Sequence, residues 1–295
     1  MNYRHHFHAG NYADVFKHVL LRLLLAGMKR KEKGFLYLDT HAGKGRYVLE
    51  ATSQLPDGRE REPEWPAGIG RLWSADNLPP ALAEYVEAVR AWNLRAGSAD
   101  GELANYPGSP WIAQALLRPQ DRSALCELRE DEAEALAAEF QFQSGVKVQN
   151  LDGYTALRAM LPPAERRALV LIDPPFENAG EFADIRRGLR EALRRFPSGV
   201  YAIWYPVTER ARSDDFLREL RDGLPGEALL PPALVAELQI AADASPVRMK
   251  GCGLLVLNPP WQIEKEFKAV LPTLARLLGN DSIAGGRVDW LVSES

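Results

Sequence analysis

From about residue 120 onward, short apolar runs rich in β-branched residues alternate with segments of helical periodicity, and this restricts the fold more than any other feature of the chain. "SALCELR", "VKVQN", "ALVLIDPPF" and "GVYAIWYPV" read as buried strands, separated by the helical stretches "DEAEALAAEFQ", "GYTALRAML" and "FADIRRGLREALRRF". A strand "GFLYLD" stands earlier, and "ALVAELQI", "CGLLVLNPPW" and "VDWLVS" follow later. Parallel strands need crossover helices, so this rhythm predicts an α/β protein with a doubly wound sheet. The late step from one strand to the next without a helix predicts an antiparallel pair at the far side.

The N-terminal stretch "MNYRHHFHAGNYADVF" reads as an ordered polar and aromatic arm, followed by a helix with Asp14 in its first turn and Lys29 to Lys31 near its end. "HAGKGRYVLE" reads as a glycine turn leading into a helix start. Residues 51–106 break the rhythm: a loop-like segment and the helix "PPALAEYVEAVRAWNLRA" lie between Pro and Gly, with no clear strand. The expected organisation is a Rossmann-like domain made of 1–50 and 107–295, carrying 51–106 as a small inserted helical subdomain.

Net charge is −4, so a nucleic-acid partner has to be met by a local basic patch and not by the field of the whole chain. Residues 1–50 supply one candidate, with nine Lys/Arg against four acids. Arg248 and Lys250 supply a second, as phosphate contacts, whereas the insertion is rich in acids. The apolar run after residue 18 is interrupted by Arg22 and is too short to span a bilayer, and no signal peptide precedes it, so a cytoplasmic protein is expected. Cys126 and Cys252 each sit in an apolar run, as buried free thiols do in a reducing compartment. All five histidines lie within the first 41 residues, without Cys partners or HExxH spacing. They suggest that this end of the chain lines a site, and a metal is not expected.

In an open α/β sheet, ligands bind outside the carboxyl ends of the strands. The first strand ends "LDTHAGKG", with Asp39 ahead of two glycines that let a ligand approach the backbone. This is neither the dinucleotide G-x-G-x-x-G nor the phosphate-loop pattern. The second strand ends at Glu127, placed to accept hydrogen bonds from both hydroxyls of a ribose; the third leads to Asp152 and Gly153, an acceptor for an exocyclic amine beside a residue that clears the ring. The fourth ends in "DPPF", Asp173 to Phe176. In sequence order this is the layout of an S-adenosylmethionine-dependent methyltransferase acting on an amino nitrogen. Asp173 and the carbonyl of Pro174 can each accept one hydrogen of the amine, and Phe176 can stack on the base.

"YRHHFHAGNYADVFKH", "FLYLDTHAGKGRY", "YPGSP", "LIDPPFE" and "IWYPV" closely resemble the bacterial 23S ribosomal RNA adenine-N6-methyltransferases of the RlmJ family, from Tyr3 to the last strand. The resemblance implies a class I methyltransferase fold with a helical insertion, transferring one methyl to N6 of an adenine in protein-free 23S rRNA, as a monomer. It implies cofactor contacts at His18, His41, Ser109, Glu127, Asp152, Gly153 and Asp173. Tyr3, His5 and Lys17 match residues near the RNA substrate or the reacting centre, Lys17 also near the cofactor. Two departures stand out: Lys44 in place of a small residue in the glycine turn, and Phe176 in place of Tyr. A DNA adenine methyltransferase would share the DPPF chemistry but would need a larger duplex-reading segment. A protein-glutamine methyltransferase prefers Asn before Pro-Pro, and a non-catalytic RNA-binding protein would not bind S-adenosylmethionine. "NPPW" (258–261) resembles "DPPF" in composition but ends a strand expected to run the other way, so it is expected to close that strand and pack Trp261, with no part in chemistry.

Overall fold

A computed structural model describes residues 7–49, 53–54, 60–223 and 230–294. In chain order the elements are α1 (Tyr12–Lys29), β1 (Leu36–Asp39), β2 (Arg46–Val48), β3 (Ser53–Gln54), β4 (Glu60–Arg61), α2 (Ile69–Trp73), α3 (Pro80–Arg95) and β5 (Asn105–Pro107). Then come α4 (Ser109–Gln114), β6 (Arg122–Glu127), α5 (Glu130–Phe140), β7 (Val146–Asn150), α6 (Gly153–Met160), β8 (Ala168–Ile172) and α7 (Glu181–Arg195). β9 (Val200–Val207), α8 (Arg210–Arg221), β10 (Ala233–Gln239), β11 (Gly251–Leu257), α9 (Ile263–Leu278) and β12 (Gly285–Val292) follow.

The central sheet has the order β12-β10-β11-β9-β8-β1-β6-β7. Pairings β7–β6, β6–β1, β1–β8 and β8–β9 are parallel, while β11 runs antiparallel to both β9 and β10. The expected doubly wound sheet with a late antiparallel pair is thus present. β8 is buried at every position, as a parallel strand covered on both faces must be. One apolar layer packs α1, α3 and α9 on the sheet through Phe16, Leu20, Leu24, Tyr85, Phe267 and Leu271; the other packs α6, α7 and α8 through Leu157, Ile185, Leu189 and Phe216. At about 25 cal/mol per Å² of apolar surface, these two layers supply the dominant stabilising term.

The region before residue 108 departs from the sequence reading in two places. Arg46–Val48 is a strand and does not begin a helix; Tyr47 pairs antiparallel with Tyr106. Residues 51–106, expected to lack strands, contain the short pair β3–β4 and most of β5. The cause is tertiary: the chain leaves the core after Gly45 and returns at Gly108, whose N–H donates to the Gly45 carbonyl at 2.8 Å. Outgoing and incoming segments lie side by side, and pairing overrides local helix preference there. The excursion is sealed to the rest by Ile69 N donating to Gly10 O (2.8 Å) and by the Arg71 guanidinium donating to the carbonyls of Leu277 and Gly279 (3.0 Å each).

The two Pro-Pro stretches separate by strand direction. Asp173 follows the carboxyl end of β8, a parallel strand. Asn258 follows the reversed strand β11, so it falls at the opposite edge, where its amide donates to the carbonyls of Pro197 and Gly199 (2.8 Å each) just before β9. There it closes a strand end as expected. Trp261, expected to pack, is instead 70% exposed; the close packing is made by Pro260, seated against Gly27 of α1 where no side chain intervenes.

Candidate active site

Four parallel strands deliver their last residues to one rim: Asp39 on β1, Glu127 on β6, the Asp152–Gly153 pair after β7 and Asp173 after β8. Asp39 is fully buried; its Oδ2 accepts from Tyr37 Oη (2.8 Å) and Ser109 Oγ (2.6 Å). Burial pushes its pKa up to about 6, tempered by those two hydrogen bonds. Asp39 therefore sits under the glycine turn as its anchor, and Ser109 is tied to it.

In the turn itself, Gly43 and Gly45 have φ of +59° and +82°, which L side chains adopt with strain. Gly43 N donates to Glu127 Oε2 and Arg129 N to Glu127 Oε1, both at 2.9 Å. Each carboxylate oxygen thus keeps a lone-pair site, the pair of acceptors that a ribose diol can donate to. Burial raises the Glu127 pKa, with the two backbone donors opposing. Lys44, the departure in this turn, lies over the Tyr47 ring at 5.3 Å.

Asp152 caps α6, accepting from Thr155 N at 2.7 Å. Gly153 is where the loops after β1 and β7 come closest: a Cβ there would fall 2.4 Å from Thr40 O and 2.9 Å from His41 Cε1. His41 is fixed by Thr40 Oγ1 (2.8 Å from Nδ1) and meets the Tyr154 ring edge-on at 5.6 Å. Burial lowers its pKa to about 4, so the ring is neutral at pH 7. An adenosine-bearing cofactor fits this cradle: a glycine-lined approach, a preset diol acceptor and a neutral imidazole.

At the reacting end, Lys17 of α1 donates to Asp173 Oδ2 at 2.5 Å and to Asp14 Oδ1 at 2.9 Å. Burial disfavours the ammonium, but the two carboxylates more than offset it, and the lysine pKa stands well above its ordinary value. Pro174 is buried and Phe176 half-buried, its ring edge-on to Phe182 (5.2 Å) and Trp204 (5.8 Å). Phe176 has φ of +50°, a left-handed backbone unusual for an aromatic residue.

Not every expected residue joins this group directly. His18 is almost completely buried, its Nδ1 2.8 Å from Tyr106 Oη, which in turn lies 2.7 Å from Tyr85 Oη. Tyr3 and His5 lie outside the described residues. Among the described residues no group of three or more His, Cys, Asp or Glu could hold a metal ion, and no helix is long and apolar enough to cross a membrane. Of the described histidines, His8 pairs with Glu64 at 2.9 Å, whereas His18 and His41 are held by Tyr106 and Thr40. Cys126 and Cys252 are buried free thiols.

The basic patch of residues 1–50 is divided by the fold. Arg118 and Arg167, at the starts of β6 and β8, donate to the carbonyls of Lys29, Lys31, Met28 and Lys33, so that cluster borders the amino edge of the sheet, opposite the rim. Arg248 is exposed and Lys250 half-buried in the β10–β11 loop, on the rim side. Sequence spacing offered no sign of Asp14, Tyr106 or Trp204 as neighbours of the site, since each meets it through tertiary contact alone.

A family model described as "Ribosomal RNA large subunit methyltransferase D, RlmJ" matches residues 32–292. The chain is 40% identical, over 100% of both chains, to the ribosomal RNA large subunit methyltransferase J of Escherichia coli (strain K12) and, at the same identity and coverage, to that of Haemophilus influenzae. Among solved structures, protein LPL1258 from Legionella pneumophila superposes with a TM-score of 0.82 at 35% identity, covering 96% of this chain and 98% of that one. With the strand-end carboxylates, the glycine cradle and DPPF all on one rim, these matches agree with the geometry: the chain belongs to the RlmJ family of ribosomal RNA large subunit methyltransferases.

Proposed function

We propose that this protein uses S-adenosylmethionine to methylate N6 of one adenine in protein-free 23S rRNA, in the cytoplasm. The observation that carries the reading is the placement of Asp173 at the carboxyl end of β8, beside the Asp39–His41–Gly153–Glu127 cradle and in contact with Lys17.

When bound, S-adenosylmethionine supplies an electrophilic methyl group on a sulfonium. Glu127 would hold the ribose diol and Asp152 would accept from the adenine amine, while Gly153 lets the loop after β1 close against the start of α6; neutral His41 would line the cradle without opposing the positive sulfur. On the substrate side the target base is unstacked from the RNA to enter the pocket. Asp173 Oδ and the Pro174 carbonyl each accept one N6 hydrogen, which draws the lone pair out of ring conjugation and aims it at the methyl carbon. Phe176 stacks on the base, worth about 1–3 kcal/mol. Attack by N6 on the methyl carbon would form the C–N bond as the sulfonium S–C bond breaks, leaving the neutral thioether of S-adenosylhomocysteine, and the proton that N6 sheds would leave through the Asp173 carboxylate. Positioning and fixed acceptor dipoles carry most of the rate. Arg248 and Lys250 on the rim side are the proposed phosphate contacts, and Tyr3 and His5 the proposed substrate contacts of the arm.

The test is methyl transfer from labelled S-adenosylmethionine to unmodified 23S rRNA, assembled large subunits and duplex DNA in parallel. Label is expected on naked rRNA as N6-methyladenine. Equal labelling of duplex DNA would overturn the substrate, and absence of S-adenosylmethionine binding in calorimetry would leave an RNA-binding protein without this activity.

A further inference from the structure

The Asp173 carboxylate that has to accept an N6 hydrogen already accepts from Lys17 Nζ through Oδ2 at 2.5 Å, so its orientation is set by that lysine. The same ammonium donates to Asp14 Oδ1 at 2.9 Å, and the side chains of Lys17 and Asp14 are 7% and 3% exposed. If Asp173 turned to the incoming amine and no second acid stood nearby, a buried ammonium would be left without a counter-charge, a costly state. Lys17 would then hold Asp173 and compete with the substrate. Asp14 removes that conflict.

The acid is rigidly placed for this. Its Oδ2 accepts from Gly10 N at 3.0 Å, so Oδ1 is the oxygen turned to Lys17, three residues along the helix. The helix start beneath it is locked by the Asn11 side chain, which accepts from Ala13 N and Asp14 N at 3.0 Å each. Gly10 is itself wedged, with a left-handed φ of +74° and Ile69 Cγ2 3.0 Å from where a Cβ would be.

We propose that Asp14 is a positioning residue that retains the Lys17 ammonium when N6 of the target adenine engages the Asp173 carboxylate. Asp14 does not touch the reacting atoms; it acts through Lys17, and it makes the catalytic carboxylate available without a buried charge being stranded. The inference rests on the proposed N6 chemistry.

The test compares wild type, Asp14→Asn and Asp14→Glu, measuring kcat and KM for 23S rRNA, S-adenosylmethionine affinity by calorimetry, and melting temperature. Removal of the charge in Asp14→Asn is expected to lower kcat on the order of 10²-fold, in the range seen when a preorganised charge is lost. KM and cofactor affinity should stay within about threefold of wild type, and Asp14→Glu should regain at least tenfold in kcat over Asn. The inference falls if Asp14→Asn keeps kcat within about threefold, or if Asn and Glu are equally impaired. It falls equally if Asp14→Asn loses cofactor affinity or melts below the assay temperature, since the role is then structural. Failure of the parent reading looks different: wild type itself would transfer no label to rRNA.

Discussion

Replacing Gly153 by Ala tests the cradle with a single carbon. The added Cβ would stand 2.4 Å from Thr40 O and 2.9 Å from both His41 Cε1 and Thr40 Cβ. Ordinary contact begins near 3.4 Å, so something has to yield by about 1 Å in an interior packed like a crystal. The loop after β1 is poorly able to do so: Thr40 N and Oγ1 donate to Leu171 O at 3.1 and 2.9 Å, and Ala42 N donates to Cys126 O at 2.9 Å. The first turn of α6 therefore moves, carrying Asp152 with it. Overpacking of this kind costs about 1–3 kcal/mol. Losing one aligned hydrogen bond to the cofactor, together with a displacement of about 1 Å, should weaken S-adenosylmethionine binding roughly 10- to 100-fold. Calorimetric titration reads the affinity and a melting curve reads the strain, with Gly180→Ala as control because no atom lies within 4 Å of a Cβ there. Unchanged affinity and melting temperature in Gly153→Ala would show that the two loops do not meet as described.

Asp173→Ala should lose transfer by on the order of 10²–10³-fold while staying folded, since Lys17 keeps Asp14; full activity in the methyl-transfer assay would remove Asp173 from the mechanism. Phe176→Ala should raise KM for the RNA roughly 5- to 150-fold with cofactor affinity unchanged, by the range for base–aromatic stacking, as titration of both ligands would show. Asn258→Ala should leave kcat intact and cost about 1–3 kcal/mol in denaturant unfolding, because it strips the Pro197 and Gly199 carbonyls of their donor; a loss of kcat without a loss of stability would bring NPPW into the chemistry. His41, lowered to about 4 in the fold, is protonated first in the unfolded chain, near 6.5. Its stabilisation is therefore whole above pH 6.5 and lost as pH falls toward 4, by at most about 3 kcal/mol and less because the ring is partly exposed. Asp39, raised to about 6, works the other way, gaining stability as pH falls through 6. His41→Asn should accordingly be more stable relative to wild type at pH 5 than at pH 7.5, and equal differences at both would refute the assignment.

Much of the sheet was readable because a buried parallel strand needs a continuous apolar run, and β8 and β9 have one. The rim was readable for the same reason: a strand's last residue is set by its own sequence, so Glu127, Asp152 and Asp173 announce themselves. What joins distant segments was not. Lys17 and Asp173 are 156 positions apart, and their ion pair depends on how α1 lies against β8. Arg46–Val48 looked like a helix start because its partner, Asn105–Pro107, comes from the far side of an excursion no local pattern describes. The basic residues near position 30 read as one patch with Lys17, yet an 18-residue helix separates the ends of the sheet that they border. Trp261 looked like a packing residue by type, and the ring turned outward because Pro260 already fills the contact with Gly27.

The left-handed backbone at Phe176 bears on how this protein could be engineered. A residue held there costs of order 1–3 kcal/mol, and glycine or asparagine would relieve most of it. A screen for thermostability would therefore favour replacing the very ring expected to stack on the target base. Variants selected for heat resistance alone should accumulate at 176 and arrive folded, cofactor-competent and poor at RNA, so a useful selection has to score methyl transfer at the same time.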